Sequence, residues 1–160
     1  MEVKFKKLAE NAVMPQRAYK GDAGLDLTAT RIDTEVNNCG QLILVYHTDL
    51  AVEIPEGYVG LLFPRSSVYK TALSASNAVG VIDSGYRGEM TIKFRNTTDV
   101  IPAVYKVGDR FCQLVIVKIP EIEVVEAEEL SESERETKSY GSTGNGEMET
   151  KQDNNTESAN

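Results

Sequence analysis

The sequence predicts an all-β sandwich or barrel with at most one short helix, and three observations carry this prediction. Short apolar runs of strand length follow one another along most of the chain. Breaks of Gly, Pro, Asn and Asp separate them, as expected between short strands. Only Ser67–Ser76 has a helical composition, and it is short. With 160 residues and 41% apolar content, the chain is long enough for one domain with a sizeable core.

The strands are predicted in chain order from apolar runs, several of which alternate with polar residues. They are Val3–Leu8, Leu42–Tyr46, Asp49–Ile54, Gly57–Phe63, Glu89–Arg95 and Arg110–Ile119, with a weaker one at Ile122–Val125. The turn-type breaks are Tyr19–Asp22, Asn37–Gly40, Pro55–Gly57 and Val107–Asp109. No internal repeat accompanies them.

The stretch Asn77–Gly88, NAVGVIDSGYRG, is predicted to form a β-hairpin with the strand that follows it. Asp83 ends its apolar run and is followed by two glycines and Tyr86. A carboxylate held at the tip of a hairpin beside an aromatic ring suggests a functional site. Asp83 as a turn residue and Tyr86 as a packing residue is the alternative, because turns favour Asp and Gly anyway.

The charge of the chain is uneven. The formal net charge is −8, and much of it lies after Pro120. This balance argues against broad binding of nucleic acid or anionic membranes. Upstream of Pro120 acids and bases are closer to balance, so a locally cationic cleft is compatible with the sequence. The acidic stretch Asn145–Asn160 has no aromatic residue and is predicted to be disordered.

Cysteine and histidine are too few for several kinds of site. Cys39 and Cys112 form neither a disulfide framework nor a metal-ligand pair by spacing, and Cys112 lies in an apolar run. His47 is the one histidine and is assigned a structural role. No apolar run has the length of a membrane span, and the N-terminus lacks a signal-peptide core. A cytoplasmic location is therefore expected.

Pro64–Ser67, PRSS, follows a predicted strand and precedes the short helical segment. The first turn of a helix has backbone N–H groups without partners, so this turn with Arg65 suggests an anion site. A simple capping turn is the alternative, since Ser is a favoured cap.

Three further segments are polar where a plain sandwich would not require it. Ala23–Leu27 sets Gly and Asp beside apolar positions, and Gly108–Arg110 opens a strand that carries Gln113. Arg135 with Tyr140–Gly144 could close over a phosphate chain through hydroxyls, backbone N–H groups and a guanidinium. Their alternatives are, respectively, a turn entering a strand, a glycine turn with an ion pair, and a flexible linker.

Taken together and in order, these five segments resemble the motifs of the trimeric dUTP pyrophosphatases (dUTPases). The motifs are AGLDL, PRSS, NAVGVIDSGYRG, GDRFCQL and R-x4-YGSTG, which span Ala23–Gly144. The resemblance implies a jelly-roll-like β fold and a homotrimer with three active sites at subunit interfaces. It also implies hydrolysis of dUTP to dUMP and pyrophosphate with Mg²⁺ on the triphosphate, which limits uracil in DNA and supplies dUMP for dTMP synthesis.

The resemblance also implies a role for individual residues. Asp83 would be the catalytic base that orients and deprotonates the water, and Asp26 would contact Mg²⁺ through water. Arg65, Ser66, Ser67 and Gln113 would bind the phosphates, and Arg110 would brace the site. Backbone groups of Gly80, Val81, Ile82 and Asp83 with the amide of Asn77 would read uracil, and Tyr86 would stack on the deoxyribose. Thr91, Arg135, Tyr140, Gly141, Ser142 and Thr143 complete the set, with Tyr140 over the base and Arg135 at the γ-phosphate.

One departure and two alternative functions accompany the resemblance. Glu136–Ser139 fill a gap that is usually richer in glycine, which bears on closure of the C-terminal arm. A dCTP deaminase of the same fold would carry a Glu at the position that corresponds to Lys93, and a lysine cannot activate water there. A non-catalytic regulatory trimer is the second alternative. The predicted division is a β domain (1–130), an active-site arm (131–144) and a tail (145–160).

Overall fold

The computed structural model describes residues 1–98 and 104–133, and this part of the chain is almost entirely β. The strands are β1 Lys4–Lys7, β2 Leu25–Thr28, β3 Arg31–Val36, β4 Leu42–Glu53, β5 Tyr58–Pro64, β6 Leu73–Ala75, β7 Gly80–Ile82, β8 Glu89–Asn96 and β9 Arg110–Lys118. One 3-10 helix, Ser66–Lys70, lies between β5 and β6. The predicted all-β class is confirmed, and the described residues contain one short helix, as predicted.

The strands form two antiparallel sheets. One has the order β1-β4-β8-β6, with β3 also paired to β4; the other has the order β2-β9-β5-β7. In β8 the alternation of the sequence becomes an alternation of faces, because Met90, Ile92 and Phe94 are buried while Lys93 and Arg95 are exposed. Non-sequential neighbours such as β9 between β2 and β5 give the jelly-roll-like arrangement that the resemblance implied.

The core contains buried residues from both sheets. Tyr46 of β4 lies at its centre, with its ring 5.3 Å from Phe94 and 5.1 Å from Phe111 between centroids. The Tyr46 hydroxyl donates to the main-chain oxygen of Tyr105 at 2.9 Å. Burial, followed by the charge of Asp109, raises the pKa of Tyr46 to about 12. The hydroxyl therefore stays protonated and satisfied inside the core.

The predicted hairpin at Asn77–Gly88 is wrong. β7 pairs with β5 in one sheet, whereas β8 pairs with β4 and β6 in the other. The segment 83–88 is thus a corner that carries the chain from one sheet to the other, and it begins with a turn in which the Tyr86 N–H donates to the Asp83 carbonyl at 3.0 Å. Period-two alternation identifies two strands but does not specify their partners.

The predicted strands Leu42–Tyr46 and Asp49–Ile54 are one continuous strand, β4, with a register shift between His47 and Ala51. Asp49 has φ of +50°, a left-handed conformation that Asp tolerates better than most residues. Its N–H donates to a carboxylate oxygen of Glu89 at 2.8 Å. This bulge explains why the apolar pattern breaks at Asp49 although the strand does not.

Other predicted boundaries also change. The helical segment Ser67–Ser76 is a 3-10 helix followed by β6, and Ile122–Val125 is exposed and is not a strand. The short strands β3 and β6 were not predicted, and β2 and β7 were seen only as a turn entering a strand and an apolar run. Each of these four is three to six residues long, too short for alternation to stand out.

The chain divides into two compact units, Met1–Ile122 and Glu123–Asn160. The nine strands found within residues 1–98 and 104–133 belong to the first unit, and residues 123–133 of the second have no regular secondary structure. The predicted disorder of Asn145–Asn160 and most of the predicted arm lie outside the described residues, so the predicted domain division stays a prediction. No described helix is long and apolar enough to span a membrane.

Candidate active site

Three of the five motifs meet at one pocket of about 370 Å³. Strand pairing brings them together, because Gln113 of β9 lies opposite Asp26 of β2 on one side and Phe63 of β5 on the other. The PRSS turn begins where β5 ends, so it lies beside the same residue. The lining residues are Ala18, Tyr19, Asp22, Ala23, Gly24, Asp26, Arg65, Ser66 and Gln113.

Asp26 is the central charge of this pocket. Its side chain is 12% exposed, and its two oxygens pair with different arginines: Oδ1 with Arg65 Nε at 3.0 Å and Oδ2 with Arg110 Nη1 at 2.8 Å. Asp26 therefore connects the PRSS motif to the GDRFCQL motif. Arg110 is placed where it can brace Asp26, the role that the resemblance implied for it.

The charges of the pocket determine how Asp26 could contact a metal ion. Because both carboxylate oxygens of Asp26 already accept from guanidinium groups, contact through metal-bound water fits this geometry better than direct ligation. Among the described residues, no group of three or more His, Cys, Asp or Glu side chains could hold a metal. The donor set fits contact with the water shell of a magnesium ion.

The PRSS turn is held to the sandwich by its backbone, by the Arg65 side chain and by one serine. The Arg65 N–H donates to the Phe111 carbonyl at 3.2 Å, and Arg65 Nη1 donates to the Arg110 carbonyl at 3.3 Å. The helix after Arg65 is a single 3-10 segment without a side-chain cap. The hydroxyl oxygens of Ser67 and Tyr105 lie 2.9 Å apart. Sequence reasoning missed Tyr105, which lies in none of the motifs.

Gly24 is required by close packing rather than by its backbone angles. A Cβ built on Gly24 would overlap the side-chain oxygen of Gln113 and lie 3.1 Å from the Gln113 Cβ. The Gln113 amide also lies 3.5 Å from the Pro64 carbonyl, at the limit of a hydrogen bond. The glycine of AGLDL therefore leaves room for the glutamine of GDRFCQL.

The fourth motif does not line this pocket. Asn77 lines a different pocket of about 420 Å³ together with Pro64 of the PRSS motif, and neither Asp83 nor Tyr86 lines either of the two. Asp83 is exposed, and no protein group within residues 1–98 and 104–133 hydrogen-bonds its carboxylate. The Tyr86 hydroxyl donates to the Glu89 carbonyl at 2.9 Å, and its ring covers Gly88.

The backbone of Gly80–Ile82 is strand β7, with Val81 exposed and Ile82 buried. On the other sheet, Thr91 of β8 lies opposite His47 of β4. Lys93, two residues along β8, forms an exposed ion pair with Glu35 at 2.6 Å.

His47 and Cys112 line neither pocket. The His47 ring contacts the carboxylates of Glu89 at 2.9 Å and Asp33 at 3.2 Å, away from both pockets, as its structural assignment predicted. Cys112 is fully buried, and this burial raises the pKa of its thiol, so it remains a protonated core residue. Arg135, Tyr140, Gly141, Ser142 and Thr143 lie outside the described residues.

Comparison with known proteins identifies the family. The dUTPase family model matches residues 10–144. The deoxyuridine 5'-triphosphate nucleotidohydrolase of Hydrogenobaculum sp. (strain Y04AAS1) is 40% identical over 145 residues, which cover 90% of this chain and 99% of that protein. The protein of the same name from Nocardia farcinica is 38% identical over 143 residues, which cover 89% of this chain and 85% of that one.

Solved structures agree with the sequence comparison. A mutant dUTPase of Staphylococcus bacteriophage 80alpha, solved with dUpNHpp, matches with a TM-score of 0.76 and 37% identity, covering 89% of this chain and 98% of that one. A mutant dUTPase of phage phi11 of S. aureus, whose structure describes coordination of a structural Mg(II) ion, matches with a TM-score of 0.67 and 35% identity, covering 81% and 98%. The chain belongs to the dUTPase family.

Proposed function

We propose that this protein is a dUTP diphosphatase that hydrolyses dUTP to dUMP and pyrophosphate. Membership of the dUTPase family supports the reaction, and the structural relative solved with dUpNHpp supports the substrate. The observation that carries the proposal is the convergence of Asp26, Arg65, Ser66 and Gln113 on one pocket. Such a pocket offers hydrogen-bond donors to a phosphate chain, and magnesium carried by the nucleotide would offset the carboxylates of Asp22 and Asp26 that also line it.

In this proposal Asp83 acts as the general base. A water molecule attacks the α-phosphorus, and its proton passes to the Asp83 carboxylate as the new P–O bond forms. The bond from the α-phosphorus to the bridging oxygen breaks, and pyrophosphate leaves with the bonding electrons. The exposed, unpartnered carboxylate of Asp83 supports this role, since no protein hydrogen bond within the described residues has to be broken first.

The phosphate chain would bind to the first pocket. Arg65 and Ser66 would donate to its oxygens, Ser66 near the bridging oxygen that leaves, and the Gln113 amide would join the same side. The site would hold magnesium together with the bound triphosphate, and the ion would supply neutralisation of the phosphate charge. Asp26 would hold the waters of that ion, a role compatible with its two arginine partners.

Base and sugar selectivity would come from Asn77–Gly88. The exposed backbone edge of β7 and the Asn77 amide can read the donor and acceptor pattern that distinguishes uracil from cytosine. Close packing would exclude the methyl group of thymine. Tyr86, whose ring is fixed against Gly88, would stack on the deoxyribose where a 2′-hydroxyl would clash. Thr91 on the neighbouring strand completes this side of the proposed site.

We further propose a homotrimer in which each active site is shared. Within one chain Asp83 lines neither the Asp26 pocket nor the Asn77 pocket, which supports sharing because the proposed base needs a phosphate pocket beside it. A second copy would supply Asn77–Gly88, and a third would supply the arm with Arg135 at the γ-phosphate and Tyr140 over the base. The reaction would limit uracil in DNA and supply dUMP for dTMP synthesis; the expected cytoplasmic location stays a prediction.

A nucleotide panel tests the proposed reaction. The protein is incubated with Mg²⁺ and dUTP, dCTP, dTTP or UTP, and both pyrophosphate and ammonia are measured. We expect pyrophosphate from dUTP alone and no ammonia from dCTP. Ammonia release would instead support the deaminase alternative, which the Lys93–Glu35 ion pair disfavours because it places a cation where that chemistry needs a carboxylate. No product from any nucleotide would support a regulatory trimer.

Gly24→Ala is expected to weaken dUTP binding without unfolding the protein. The added methyl group needs the space of the Gln113 side chain, so that amide must rotate out of the pocket. We expect a KM about tenfold higher. Steady-state kinetics on dUTP measure it, with Gly21→Ala as the control because a Cβ there meets nothing within 4 Å. Equal KM values for the two variants would refute the proposed packing role of Gly24.

Truncation before Glu134 is expected to lower kcat/KM for dUTP by roughly two orders of magnitude, because the arm would carry the γ-phosphate contact and the aromatic lid. Truncation after Gly144 is the matched control and is expected to leave turnover unchanged. Pyrophosphate release at low dUTP concentration measures both. Full activity after the longer deletion would rule out any role for Arg135 and Tyr140–Thr143.

A further inference from the structure

A tyrosine outside all five motifs connects the phosphate-binding turn to the core. The hydroxyl oxygens of Tyr105 and Ser67 lie 2.9 Å apart. Tyr105 is only 8% exposed, and its main-chain oxygen accepts from the buried hydroxyl of Tyr46 at 2.9 Å. The two tyrosine rings meet edge to face with centroids 6.4 Å apart. The Tyr105 hydroxyl is therefore presented to Ser67 from a position fixed by the core.

The turn itself has little else to hold its side chains in place. None of the five residues of the 3-10 helix is buried, and no side chain caps its first turn. Its other links to the sandwich include the long hydrogen bonds of Arg65 to carbonyls of β9 at 3.2 and 3.3 Å, the Gln113–Pro64 contact at 3.5 Å, the Asp26 ion pair, and partial packing of Val68. The Ser67–Tyr105 pair is shorter than either bond to β9 and reaches directly into the core.

Resting on the proposed function, we propose that Tyr105 is a positioning residue for phosphate binding by the PRSS turn. Its hydroxyl fixes Ser67, and through Ser67 it fixes the neighbouring Arg65 and Ser66. A tyrosine hydroxyl has one proton to donate. When Tyr105 donates it to Ser67 Oγ, the Ser67 proton is free to point at a phosphate oxygen, which can only accept. A chain of this kind also strengthens each of its hydrogen bonds.

Tyr105→Phe removes the hydroxyl and keeps the ring. We expect KM for dUTP and the dissociation constant of the non-hydrolysable analogue dUpNHpp to rise together by roughly three- to tenfold, with kcat changed less than twofold. The matched control is Tyr46→Phe, which removes the other 2.9 Å hydroxyl bond at Tyr105. It is expected to lower the unfolding temperature at least as much but to raise KM less than twofold, because the ring contact of Tyr105 and its hydroxyl pair with Ser67 remain in place. Combining Tyr105→Phe with Ser67→Ala should weaken binding no further than Ser67→Ala alone.

The possible outcomes separate the proposal from its premise. An unchanged KM in Tyr105→Phe, an equal rise in Tyr46→Phe, or full additivity with Ser67→Ala would overturn the positioning role while leaving dUTP hydrolysis intact. A wild-type protein that neither hydrolyses dUTP nor binds dUpNHpp would overturn the proposed function, and the positioning role with it.

Discussion

Asp83→Asn is expected to lower the rate of pyrophosphate release from dUTP by two to four orders of magnitude, roughly the contribution of a general base. The amide keeps the size and hydrogen-bonding oxygen of the side chain but cannot take a proton from water. The dissociation constant of dUpNHpp should change little, since the loss concerns the chemical step. Single-turnover kinetics and analogue binding measure the two quantities separately.

The same substitution is expected to leave the fold intact. Asp83 is exposed and its carboxylate has no protein partner among the described residues, so the free energy of unfolding should change by less than about 0.5 kcal/mol. Asp49→Asn is the matched control, because Asn also tolerates the left-handed backbone at that position and Asp49 lies outside the candidate site. Loss of turnover in both variants, or in neither, would contradict the role of Asp83.

Asp26→Asn is expected to affect both stability and binding. The amide places an NH2 donor where one carboxylate oxygen accepted from Arg65 or Arg110, and it leaves both guanidinium groups without their counter-charge. Charge-assisted hydrogen bonds contribute about 1.5–3 kcal/mol each, and partial exposure of the arginines reduces this. We expect a loss of about 2 kcal/mol in the free energy of unfolding. We also expect a higher KM for dUTP, because Asp26 no longer orients the Arg65 guanidinium in the pocket.

Glu53→Gln provides the comparison for that variant. Glu53 pairs with Lys4 at 2.8 Å, as short as the Asp26–Arg110 pair, but both side chains are largely exposed. The hydrogen bond to Lys4, and then its charge, hold the pKa of Glu53 below its ordinary value, so the pair is present at pH 7 and would be lost as pH falls through that pKa. Chemical denaturation at pH 7 should show no measurable change for Glu53→Gln. A loss as large as that of Asp26→Asn would show that burial of Asp26 is irrelevant.

How much of this fold follows from the sequence depends on the element. β8 could be predicted because Met90, Ile92 and Phe94 alternate with polar residues over eight positions and all three face the core. β7 has three residues, and nothing local specifies that it pairs with β5 rather than with β8. Asp49 interrupts the pattern of β4 through a bulge held by Glu89, a residue forty positions away. Pairing and bulges are long-range properties.

The candidate site divides in the same way. The motifs and their family resemblance identified Asp26, Arg65 and Gln113, but the pocket depends on the register that sets Gln113 between Asp26 and Phe63. Gly24 lies in a motif that could be recognised in the sequence. Its close packing against Gln113 could be found only from the three-dimensional structure. Nothing in the sequence pointed to a functional role for Tyr105, because an aromatic residue in an apolar segment is usually predicted to be a core residue. Its hydroxyl contact to Ser67 is a property of the packed structure.

The most direct test of the proposed reaction follows the oxygen of the attacking water. dUTP and Mg²⁺ are incubated with the protein in water enriched in ¹⁸O, and both products are analysed by mass spectrometry. Attack at the α-phosphorus predicts one labelled oxygen in dUMP and unlabelled pyrophosphate. Label in pyrophosphate, release of inorganic phosphate in place of pyrophosphate, or intact dUTP after prolonged incubation would contradict the account.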